Sequence, residues 1–66
     1  MLKSTALKML AALEAQRMAE NAAAGRKSLD DYEYQRTCGM IAEMAGFRSR
    51  AEWMDILQGI SELKDN

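Results

Sequence analysis

Apolar and polar residues alternate along the chain with a helical rather than a strand period. In the first segment Leu2, Ala6, Met9, Leu10, Leu13 and Arg17 recur at three- and four-residue spacings, one stripe running for about four turns. After Leu13 the stripe thins to Ala19, Ala22, Ala23 and Ala24 among polar residues, so the distal half of this helix buries little and depends on a neighbour. Gly25, followed by Arg26 and Lys27, is a helix-stop signal with cations at the negative end of the dipole. A second stripe, Tyr34, Cys38, Ile41 and Ala45, adjoins a third, Met40, Met44 and Phe47, and together they make a broad apolar face. The last stripe joins Trp53, Ile56, Leu57, Ile60 and Leu63. The pattern predicts one all-α domain over residues 1–66, with three short helices at about 2–24, 29–45 and 50–64 arranged as a small hairpin or bundle.

The punctuation agrees with this reading. Ser28 is placed to cap the second helix, and Asp30, Asp31 and Glu33 set negative charge at its positive end, so capping accounts for that acidic cluster without a metal. Gly46 ends the second helix, and Ser49 with Glu52 three residues later fits a capping box that opens the third, with Phe47 folding back near Trp53. Gly39, in the middle of the second helix, predicts close backbone packing there.

Composition narrows the picture further. The 66 residues contain no proline and no histidine, one cysteine, one tryptophan and six methionines. A core of this size rarely supplies more than about 3–5 kcal/mol, and with Cys38 alone and histidine absent neither a disulfide nor a zinc cluster can add to it. Association with copies of itself or with a larger partner is the remaining route to robust stability. The net charge of −1 argues against a polycation that seeks nucleic acid. Its distribution is uneven: residues 1–28 hold five cations against two anions, a net +3, and residues 29–66 hold four against eight, a net −4. The halves attract each other, within one chain or between copies.

Catalytic chemistry is sparse. Cys38 lies on the core stripe with no imidazole to activate it, the four glycines are too dispersed to cradle a phosphate, and neighbouring carboxylates point apart on a helix. The expectation is a non-enzyme that takes no cofactor and no metal. The longest apolar run, Met9 to Leu13, is far short of the ~20 residues of a membrane span, and Lys8 interrupts any secretory leader, so a soluble, cytoplasmic chain is expected. Glu14 and the few cations weigh against a surface-lying membrane helix over 2–17. Methionine is the conspicuous excess. A body this small cannot enclose all six together with Trp53, Tyr32, Tyr34 and Phe47, so some apolar surface is left for a partner.

Two resemblances bear on function. The run from Ala42 through Gly46, Arg48, Ser49, Arg50 and Glu52 to Leu57 resembles the helix, turn and second helix of ribbon-helix-helix regulators, which implies a DNA-binding or inhibitory role for the Gly46–Leu57 turn and helix. The family's strand, which reads the bases, is missing: the corresponding residues 22–28 read as a helix end and cap. The whole layout, a basic first helix, then Asp31 to Ile41 with Tyr34, Gly39 and Ile41, then an amphipathic last helix, is similar to small helical proteins encoded among tailed-bacteriophage genes. That resemblance implies an accessory or virion-assembly component of the portal and head-to-tail region, in the host cytoplasm or within the phage particle, binding copies of itself or a larger protein assembly. Trp53, Met54, Leu57 and Ile60 are then the expected contact residues, with Arg48 and Arg50 at the rim.

Overall fold

The computed structural model describes residues 1–25 and 32–63. Three helices occur among them, with no strand: α1, Lys3–Ala23; α2, Tyr32–Ala45; and α3, Arg50–Leu57. The predicted cap at Ser28, the acidic pair Asp30 and Asp31, and the end of the tail at 64–66 lie outside the described residues.

α1 and α2 form the main contact, and the short α3 touches both. One cluster of nine buried side chains holds the three together: Ala6, Leu7 and Leu10 from α1, Tyr34, Cys38, Ile41 and Ala42 from α2, Phe47 from the turn and Trp53 from α3. Trp53 and Leu10 are its largest fully enclosed members. The core is built around the first half of α1. Its second half exposes Met18, Ala19, Ala22 and Ala23, as expected of a stripe that has thinned to alanine, while Asn21 near its end is buried.

α1 is turned relative to the stripe read from spacing. Leu2 and Met9 are exposed and Leu7 is buried. The reason is tertiary. The Lys3–Leu7 flank is covered by the α2–α3 region, where Lys3 Nζ lies 5.3 Å from the centre of the Phe47 ring and 3.8 Å from Glu52 Oε1. The side of α1 that meets a third element is buried, and the opposite flank is left bare.

α3 stops seven residues short of its expected end. Gly59 adopts φ 79°, and the amides of Gly59 and Ile60 donate back to the carbonyls of Ile56 (3.1 Å) and Asp55 (2.8 Å). This paired closure satisfies the last free carbonyls and requires the left-handed conformation that glycine adopts without strain. The apolar spacing that ran on through Ile60 and Leu63 is therefore not a helical stripe. Ile60 lies outside the helix, 69% exposed.

Candidate functional site

Among the described residues the α2–α3 corner holds two helix ends fixed by hydrogen bonds within a few positions. Gly46, at φ 86°, closes α2 with the same paired bonds: its amide donates to Glu43 O at 3.0 Å and the Phe47 amide to Ala42 O at 2.9 Å. The accompanying apolar contact is supplied by Phe47, which enters the core beside Ala42. Three residues later Ser49 caps α3, its hydroxyl oxygen accepting from the Glu52 amide at 3.3 Å. The Glu52 carboxylate reaches back to accept from the Arg48 amide at 2.8 Å, one residue before the position an ideal capping box uses. Two adjacent helix ends are thus fixed within a few residues, which sets the angle at which Trp53 enters the core.

That corner shapes an open groove of about 600 Å³ between α2 and the start of α3. Tyr34, Cys38, Ala42, Phe47 and Trp53 form its apolar floor. Its sides carry Gln35, Gly39 and Glu43 from α2, and Arg48, Ser49 and Arg50 across from them. The volume falls in the range of ordinary ligand and peptide clefts. A second, smaller cavity of about 130 Å³ lies between α1 and α2, bounded by Leu13, Arg17, Glu33 and Thr37.

Electrostatics at the floor favour neutral groups. Arg50 and Arg17 each bring a guanidinium carbon to 5.9 Å from the centre of the Tyr34 ring, within cation–π range. Burial, and secondarily the neighbouring Cys38, push the Tyr34 hydroxyl up to about 12. Burial also raises the Cys38 thiol, only partly opposed by Tyr34 and Arg50. A thiol held protonated is a weak nucleophile, so this cysteine acts as a small apolar residue. Among the described residues no group of three or more histidine, cysteine, aspartate or glutamate side chains could hold a metal ion, and no helix is long and apolar enough to cross a membrane.

The six residues expected to meet a partner are split by the fold. Arg48 and Arg50 are exposed at the groove rim, and Trp53 lies beneath it, only 1% exposed within the chain's own core. Met54 and Leu57 are partly buried against that core, and Ile60 stands clear of it. Gly39 departs from its expected role, since a β-carbon built on it would meet nothing within 4 Å. Among the described residues nothing packs against that position, and the groove wall is open there. The groove members Gln35, Gly39 and Glu43 were not legible as a set, although their four-residue spacing places them on one face of α2.

No protein-family model, no curated protein and no solved structure matches this chain.

Proposed function

We propose that this chain is a non-enzymatic helical interaction protein that works by docking on copies of itself or on a larger protein assembly. The observation that carries this reading is the amount of apolar surface left after folding. Among the described residues Met1, Leu2, Met9, Met18, Tyr32, Met40, Met44, Ile60 and Leu63 are all between 36% and 77% exposed, as many as the described core contains. Met40 and Met44 are one turn apart on α2 and so share a flank, and Met9 lies on α1's bare side. Flexible, polarizable methionines on a surface suit adaptable protein contacts. The resemblance to tailed-phage accessory proteins supplies the setting: a virion-assembly component of the portal or head-to-tail region, working in the host cytoplasm or inside the particle. Native mass measurement of the chain, alone and in a cell extract, tests it. A defined oligomer or a stoichiometric protein complex supports the reading, and a free monomer in both settings refutes it.

Arg48 and Arg50, exposed side by side at the start of α3, favour a second reading as a small regulator or host-directed inhibitor that uses the Gly46–Leu57 corner. Its DNA-binding form requires an affinity that falls steeply with salt, and no mobility shift of any duplex at low salt would remove it.

A further inference from the structure

Gly39 sits in the middle of α2, where glycine weakens a helix, yet its φ is not positive and a β-carbon built on it meets nothing within 4 Å. It belongs to an exposed stripe. Tyr32, Arg36, Gly39 and Glu43 recur at spacings of four, three and four, so they share one side of α2, and all four are exposed. The buried side of the same helix carries Tyr34, Cys38, Ile41 and Ala42. Met40, 56% exposed, borders the stripe, being four residues from Arg36 and three from Glu43.

The charges on this stripe are arranged about its middle. Arg36 and Glu43 are seven residues, about 10 Å, apart along α2, too far to pair with each other. Neither makes an ion pair with another described residue. Midway between them lie Gly39 and Met40. Turned end for end about that midpoint, the stripe presents Glu43 where it had Arg36, and Met40 where it had Gly39. The face therefore complements a reversed copy of itself in both charge and shape. A parallel copy would set Arg36 beside Arg36 and Glu43 beside Glu43, contacts that repel. An antiparallel copy sets each Arg36 opposite a Glu43, and each Met40 over the bare backbone of a Gly39, where glycine permits close approach. Tyr32, 77% exposed, then falls opposite residues 46–48 of the other copy.

We propose that α2 pairs with α2 of a second copy, antiparallel about a two-fold axis at Gly39 and Met40, with Arg36 and Glu43 of the two copies facing each other at both ends. This rests on the reading of the chain as an interaction protein, and it names the partner and the face. One 14-residue helix from each chain makes a small interface, so the dimer is one that dissociates on dilution.

Sedimentation equilibrium of the 66-residue chain tests it. The unaltered protein is expected to dimerise, with a dissociation constant that rises with salt. Arg36→Glu alone and Glu43→Arg alone are each expected to raise that constant about tenfold, because either change places two like-charge contacts across the axis. The two together are expected to restore it, a rescue that generic loss of stability would not produce. Gly39→Leu separates pairing from folding: leucine is the better helix former, so the isolated chain is expected to melt higher while the dimer weakens about tenfold or more. A dimer that none of these changes alters, or that the double exchange fails to restore, overturns the α2 face while leaving the interaction reading standing. A monomer at every concentration overturns the self-pairing, and if that monomer also forms no complex in extract the interaction reading falls with it.

Discussion

Replacing Gly39 with alanine is expected to stabilise the single chain, the opposite of what a glycine at a close helix contact would give. Alanine exceeds glycine in a helix interior by about 0.8–1.0 kcal/mol. The structure subtracts nothing from that gain. Gly39 is exposed, its φ is not positive, and the added methyl group meets no atom within 4 Å. Against a total stability of about 3–5 kcal/mol for a scaffold of this size, the gain is a large fraction. For a domain of this length it corresponds to a rise in melting temperature of about 4–8 °C. Circular dichroism melts at concentrations where the protein is monomeric would show it, and urea unfolding should move to a higher midpoint with an unchanged slope. An unchanged or lowered melting temperature would mean that Gly39 is covered within one chain and that the groove wall is not open there.

Other perturbations probe the corner and the core. Trp53→Ala removes a side chain that is 1% exposed, and at about 3–5 kcal/mol should leave the isolated chain largely unfolded; retention of the helical circular dichroism signal would contradict its place at the centre of the core. Ser49→Ala removes the α3 cap and should cost about 0.5–2 kcal/mol, with Ser49→Asp recovering most of it, and equal melting temperatures for all three proteins would dismiss the cap. Alkaline pH should destabilise the fold. The unfolded chain releases the Tyr34 proton near 10.0 and the folded chain holds it to about 12, so the unfolded state binds fewer protons in that window and the stability present below pH 10 is lost as pH rises through it. Tyr34→Phe should flatten this decline, and identical pH profiles for the two proteins would refute the buried hydroxyl.

The helix class and the α2–α3 corner were legible because their signals are local. Gly46, Ser49 and Glu52 lie within seven residues and each acts on backbone groups of its immediate neighbours. What was hidden depends on distant parts of the chain. Leu2 and Met9 share a helical spacing with Leu10, but only the docking of the Phe47–Glu52 region against Lys3 decides which flank of α1 is buried. Gly59 is a stop of the same kind as Gly46, yet the apolar spacing continuing to Ile60 and Leu63 outweighed it, because periodicity alone cannot distinguish a helix from a segment that leaves one. The groove had no sequence signature of its own. It arises where α2 and α3 diverge; Arg48, Arg50 and Trp53 line it and were singled out from the sequence for a different reason, as expected partner contacts, whereas Gly39 was expected to be packed.

The central claim, that this small chain works while attached to another protein surface, is tested most directly by the native mass of the 66-residue chain across a concentration series, alone and in cell extract. The expected result is a defined oligomer of the chain or a stoichiometric complex with another protein in extract. A single-chain mass at every concentration, unchanged in cell extract, would contradict it.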